Sequence, residues 1–372
     1  MGFEYALTDS SRIPSPALLF YKDLIEKNID RTLEIAGNPN RLRPHAKTHK
    51  TREIIQMALA KGIAKHKCAT VAEAEMLAQC GAKEILLAYP IVGPNTARLS
   101  QLMAKYPESR FAVLGDDAES LQQLSNAMKP LDQEVEVMLD LDVGQHRTGI
   151  GIGNKAVQLY EMIARLAGLK PGGLHVYDGH NHQDSLQERQ AAVEQLMEPV
   201  LEFRQELETR GLAVPRLLVG GTPTFPIYAK LDYPGLELTP GTCFIHDHGY
   251  GSRFHDLKGF TPAAALLTRV ISRPKANRIT LDLGYKAVSS DPPAGKRCHL
   301  LNVPDYVAVL QNEEHLVIET QAAGRFVPGD AVYAIPTHIC PTVALHRQAL
   351  VVEKGHITGA WDIVARDRFL TV

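Results

Sequence analysis

Short β-rich runs alternate with helical runs from about residue 40 to 242, and this alternation constrains the fold more than any other feature of the chain. The candidate strands are 41–46, 65–71, 84–90, 110–115, 134–142, 172–179, 216–221 and 236–241. Helix-like segments with apolar residues at i, i+3 and i+4 lie between most of them. VAEAEMLAQCG (71–81) and KAVQLYEMIARLAG (155–168) each close on glycine, and the longest runs over 186–211. The strands are apolar on both faces, as buried parallel strands are. Such a pattern fits a (β/α)8 barrel or an open doubly wound sheet. Eight units favour the barrel, and no G-x-G-x-x-G follows the first strand. After residue 250 the segments turn strand-like with short connections. The expected organisation is a barrel over 20–245 and a mainly β domain over 246–372 that also takes in residues 1–19. PALLFY (16–21), at the boundary, is expected to add a strand to the barrel.

The chain has 372 residues and a net charge of −2, which excludes nucleic-acid binding driven by overall charge. A basic cluster at 41–52 lacks the aromatic platform of an RNA surface. No apolar run approaches the ~20 residues of a membrane span. MGFEYALTDS shows no signal-peptide pattern, and Ala6 breaks a myristoylation motif. Five scattered cysteines read as reduced thiols, so a cytoplasmic location is expected.

Barrel enzymes place their chemistry at the C-terminal strand ends. Strand 1 delivers Lys47 there, from RLRPHAKTHK. Strand 5 delivers Asp142, His146 and Arg147, and strand 6 delivers His175 and Tyr177. Strands 7 and 8 deliver Gly220, Gly221, Thr222, Gly241 and Thr242. Glycine and threonine ends let backbone N–H groups and hydroxyls converge on a phosphate, although each alone is ordinary turn chemistry. Cationic neighbours disfavour the ammonium form of Lys47 and make its amine a better nucleophile. An aldehyde and a phosphate together point to pyridoxal 5′-phosphate, bound as a Schiff base.

RPHAKTHK, CATVAEAEMLAQCGAKEILLAYP and LDLDVGQHRTGI resemble the fold-type III pyridoxal phosphate enzymes, closest to the D-threonine aldolase and D-serine dehydratase group, which includes D-threo-3-hydroxyaspartate dehydratases. The G-G-T-P-T run (220–224), E-L-x-P-G-T (237–242), D-x-G-x-K-A (282–287) and E-E-H (313–315) extend the resemblance over almost the whole chain. It implies an alanine racemase-type barrel, a β domain and a homodimer. It also implies that Lys47 carries the cofactor, Arg147 sits by the ring and its phenolic oxygen, and Tyr177 lies near the pyridine nitrogen. His338 and Cys340, two apart in PTHICPTVALH, face one way if they lie on a strand. Imidazole and thiolate suit Zn²⁺, but a strand His and Cys so spaced are more often core residues. The resemblance favours ligation, by Zn²⁺ or another divalent ion such as Mn²⁺. It implies His-x-Cys in the dehydratases and His-x-Asp in the aldolases.

The expected activity is therefore dehydration of a D-3-hydroxy amino acid, D-serine or D-threo-3-hydroxyaspartate, to a 2-oxo acid and ammonia. The alternatives are retro-aldol cleavage of D-threonine, racemisation, and non-catalytic cofactor binding. His45, His49 and Lys50 are assigned no chemistry. His180 and His182 read as a loop at the site mouth, His346 as a remote third ligand, and Asp291 as a substrate-facing residue or a turn cap.

Overall fold

The computed structural model describes residues 5–131 and 133–372; the first residues of the predicted 1–19 segment lie outside them. The described chain divides into two units. One comprises 33–47, 55–241 and 367–372, and the other 5–32, 48–54 and 242–366.

The first unit is the barrel. Lys65–Cys68, Glu84–Pro90, Arg110–Gly115, Val135–Asp140, Leu169–Val176, Leu217–Val219 and Leu236–Leu238 pair in parallel, in chain order. Residues 42–45 fill the eighth position between the two edges. Leu42 bridges Leu238 and His45 bridges Lys67. The Arg43 N–H donates to Leu238 O (2.9 Å), His45 N–H to Pro240 O (2.8 Å) and Lys67 N–H to Pro44 O (2.9 Å). Pro44 has no N–H to give, so this segment makes single bridges rather than a continuous ladder. Leu86, Ala112, Leu114, Met138 and Leu218 pack together in the core of this unit.

Three of the helices between strands start on side-chain caps. Thr70 accepts from Glu73 N (3.1 Å) while Glu73 reaches back to Ala69 N (2.7 Å), ordering the start of Val71–Gln79. Asp117 and Ser185 cap Ala118–Met128 and Leu186–Thr209 in the same way. The last residues return to this unit. Glu75, fully buried, accepts from Thr371 N (3.0 Å), and Arg98 donates to Val372 O (2.9 Å) with its guanidinium over Phe369.

The second unit is a mainly antiparallel sheet centred on Ala264–Lys275. Ala17–Tyr21 belongs here, not to the barrel. It pairs antiparallel with Ala264–Lys275 (Leu18 opposite Leu266) and parallel with Gln348–Glu353 (Phe20 opposite Val351). A short run buried on both faces fits the middle of either sheet, and local sequence carries no sign of which one takes it. The D-x-G-x-K-A and E-E-H runs meet each other in this unit. Asp282 accepts from Thr268 Oγ1 (2.6 Å), Arg269 N (2.7 Å) and Ser15 Oγ (2.5 Å). Gly284 lies so close to the Glu313 carbonyl that no Cβ would fit. Lys286 pairs with Glu313 at 2.6 Å.

Candidate active site

Lys47 sits in a single 3-10 turn, Ala46–Thr48, directly after the bridging segment, and is partly buried. Its N–H donates to His45 Nδ1 (3.3 Å). The cation that faces Lys47 electrostatically is Lys67, on the next strand. The sequence reading did not single out this residue.

Lys67 is 3% exposed. Its Nζ lies 2.8 Å from His175 Nε2 and donates to Thr239 Oγ1 at 3.3 Å. His175 Nδ1 lies 2.6 Å from Asp140 Oδ1, whose other oxygen accepts from Thr148 Oγ1 at 2.8 Å. A carboxylate can only accept, so His175 carries its proton on Nδ1 and offers Nε2 to Lys67. Burial, then the Lys47 charge, push the Lys67 ammonium down to about 7; Asp140 and Asp178 pull against this, and Arg147 adds to it. Burial and then Lys67 likewise lower His175, while Asp140 stays below the usual carboxylate range despite its burial, through His175 and Thr148. One legible sign of this chain existed. KHKC is a strand buried along most of its length, and such a strand buries a cation only against partners.

Two cations lie against the Tyr177 ring, Arg147 at 4.8 Å and Lys67 at 5.5 Å from its centroid. Arg147 pairs with neither predicted carboxylate. Asp142 takes the His146 ring (2.8 Å) and backbone, and Asp140 takes His175. Gln145 Oε1 is a buried acceptor with no partner among the described residues, in a recess lined by Asp140, Arg147, Thr148 and Tyr177. The recess has a volume of about 10 Å³, room for a single water on that unmet acceptor, and Arg147 is exposed beside it.

Strands 7 and 8 end in linked loops. Gly241 N–H donates to Thr222 Oγ1 (3.1 Å), and Thr239 Oγ1 donates to Gly220 O (2.7 Å). Gly220 has φ +77°, and a Cβ there would lie 2.7 Å from the Tyr228 ring.

In the second unit, His338 and Cys340 do not lie on a strand. The strand Ala331–Pro336 ends first, His338 caps the helix Ile339–Leu345, and Cys340 lies in its first turn. Burial lowers the His338 imidazole, but Cys340 and then Asp291 beside it outweigh this and raise it to about 9. Asp291 hydrogen-bonds His338 Nδ1, the arrangement that fixes a ligating imidazole for its Nε2. Thr48, next to Lys47 in sequence, has its Oγ1 3.2 Å from Cys340 Sγ, and Thr242 Oγ1 is 3.8 Å from it. Among the described residues no group of three or more His, Cys, Asp or Glu side chains is placed to hold a metal. The donor set thus fits an incomplete site that leaves positions for solvent or substrate. His346 joins no cluster and donates through Nε2 to Ala287 O (2.8 Å). His182 N–H donates to His180 O (3.0 Å) within their loop. His49 packs on Phe244, and Lys50 reaches Ala365 O at 3.5 Å.

Residues 22–243 match the family model described as alanine racemase, N-terminal domain, and 263–352 match a serine dehydratase domain. The chain belongs to the alanine racemase N-terminal domain family. Within it, D-threonine aldolase from Arthrobacter is 29% identical over 96% of this chain and 93% of its own. D-threo-3-hydroxyaspartate dehydratase from Delftia is 24% identical over 89% and 92%. The crystal structure of D-threonine aldolase from Filomicrobium marinum superposes with a TM-score of 0.88 at 26% identity, over 96% of this chain and 97% of that one. Solved forms of D-threo-3-hydroxyaspartate dehydratase include a His-to-Ala mutant and, two positions on, a Cys-to-Ala mutant in the metal-free form. The fold and the resemblance read from the sequence agree with these relatives. No helix among the described residues is long and apolar enough to cross a membrane.

Proposed function

We propose that the chain is a pyridoxal phosphate-dependent, divalent metal-dependent lyase that dehydrates a D-3-hydroxy amino acid, D-serine or D-threo-3-hydroxyaspartate, to a 2-oxo acid and ammonia. The observation that carries dehydration is the His338-x-Cys340 pair, which matches in type and spacing the two positions mutated in the solved D-threo-3-hydroxyaspartate dehydratase structures. Retro-aldol cleavage is the second reading, favoured by the higher identity to D-threonine aldolase.

Pyridoxal 5′-phosphate, when bound, supplies an aldehyde and an electron sink. Lys47 Nζ is the amine for that aldehyde and the base for the substrate α-proton. Arg147 and Tyr177 would flank the ring, and Gly220, Gly221, Thr222, Gly241 and Thr242 would hold the phosphate. His338 and Cys340 would hold Zn²⁺ or another divalent ion, which supplies Lewis-acid chemistry at a hydroxyl. The resemblance also implies a homodimer. The strand Val307–Gln311 ends its sheet with Val307, Val309 and Leu310 exposed, an edge a second copy could cover, and sedimentation tests the stoichiometry.

Product analysis separates the two reactions: ammonia and pyruvate from D-serine, or glycine and acetaldehyde from D-threonine. Chelation is expected to abolish either turnover and Zn²⁺ to restore it; full activity after thorough metal removal sinks the metal assignment. Lys67→Met is expected to lower kcat about 100-fold and to erase the limb of the pH–rate profile near neutrality. A profile that keeps that limb shows that another group titrates there.

A further inference from the structure

Asp178 lies two residues beyond the strand Leu169–Val176 and is 1% exposed. A buried carboxylate needs several donors to stay in place. Asp178 Oδ1 accepts from Thr224 Oγ1 at 2.9 Å, and Oδ2 accepts from Tyr228 OH at 3.1 Å. The Asn181 amide stands at 3.4 Å from Oδ2, and Asn181 N–H donates to Asp178 O at 2.8 Å. Thr224 Oγ1 in turn accepts from the Gly221 N–H at 3.2 Å. The Tyr228 ring is the surface against which Gly220 packs without a Cβ. Both hydroxyls that donate to Asp178 therefore belong to residues that touch the Gly220–Gly221 turn. Burial raises the Asp178 carboxyl to about 6 against the pull of these hydroxyls, so the arrangement holds an acid where anions are disfavoured.

We infer that Asp178 is a positioning residue which, through Thr224 and Tyr228, fixes the Gly220–Thr222 turn in the shape that recognises a phosphate monoester and so sets the preference for the phosphorylated form of the ligand. Asp178 itself has no part in binding the phosphate, because an anion beneath the turn can only repel one. Its effect is geometric. With the carboxylate in place, the Thr224 hydroxyl points its proton at Asp178 and its lone pair at Gly221 N–H. An amide at 178 replaces one acceptor oxygen by an NH2 donor; at the Oδ2 position it faces the Tyr228 hydroxyl and the Asn181 amide nitrogen, both donors to the carboxylate, so these bonds are lost or reversed and the turn loses its support.

This inference rests on the reading of the turn as the phosphate site of the proposed cofactor. The test measures binding of pyridoxal 5′-phosphate, of unphosphorylated pyridoxal and of inorganic phosphate to the full chain, by equilibrium titration and thermal shift, without substrate. Wild type is expected to prefer the phosphorylated vitamer and to be stabilised by inorganic phosphate. Asp178→Asn is expected to weaken pyridoxal 5′-phosphate about 10-fold, the size of one lost buried hydrogen bond. It is expected to lose the inorganic phosphate shift and to bind pyridoxal as before. Thr224→Ala is expected to behave likewise and Thr224→Ser to retain the preference, which covers the case of a poorly folded Asp178→Asn. Equal weakening of both vitamers, or none, in Asp178→Asn and Thr224→Ala overturns the inference. A wild type with no preference between the vitamers removes the phosphate reading itself, and the inference with it.

Discussion

Lys47→Ala is expected to leave a folded chain that stays colourless with pyridoxal 5′-phosphate and turns over at least about 10³-fold more slowly, since one change removes both an activated nucleophile and a general base. Lys47 lies in a turn and accepts no load from the core, so its loss should cost little stability. Borohydride reduction of the coloured wild type, followed by peptide mapping, is expected to place the label on Lys47. Label on Lys67 instead would exchange the roles of the two amines, and label on Lys50 or Lys286 would move the site away from the barrel's first strand. Exogenous alkylamines are expected to restore part of the Lys47→Ala turnover, which loss of folding would not allow.

Arg43→Ala is expected to cost about 3–5 kcal/mol of stability, the typical result of stranding a buried partner. Arg43 is 2% exposed and binds Glu237 at 2.6 Å and Glu84 at 2.8 Å. Lys65 binds the other Glu237 oxygen at 2.6 Å. The double variant Arg43→Met with Glu237→Leu is expected to recover most of the loss, because Lys65 retains Asn40 O and Glu84 retains Arg110. Thermal or urea unfolding of both variants reads this directly. A double variant no more stable than Arg43→Ala would show that the network stabilises beyond the burial it replaces. The network also fixes a pH dependence. Burial alone would raise Glu237, yet Arg43 and Lys65 hold it below its ordinary 4.5. The unfolded chain therefore binds that proton more readily than the folded one. The contribution is complete above about pH 4.5 and drains away as the pH falls through the lower folded value.

Much of this protein was legible in its sequence because the signals were local. The β-α alternation requires parallel strands with crossover helices, and the strand boundaries at 84–90 and 110–115 coincide with those observed. Lys47 follows the run 41–46 that opens the β-α alternation, and the glycine-rich ends of strands 7 and 8 are visible as residue types. The His338–Cys340 spacing was visible too, although its geometry was not. A helix N-cap and first turn stand there where a strand was expected.

What only the tertiary structure decided are pairings across long sequence separations. PALLFY goes to the second sheet because its neighbours there, Ala264–Lys275 and Gln348–Glu353, are more than 200 residues away. Lys67 faces Lys47 although the two lie 20 residues apart, since closing the barrel sets strand 2 beside strand 1. Asp140, His175 and Lys67 come from three different strands, and Asp178 meets Thr224 and Tyr228 across a strand crossover. Sequence specifies which groups the chain carries and which local conformation each stretch prefers. The charge state and partner of a buried group depend on what the fold sets against it, and desolvation acts only once water has been excluded.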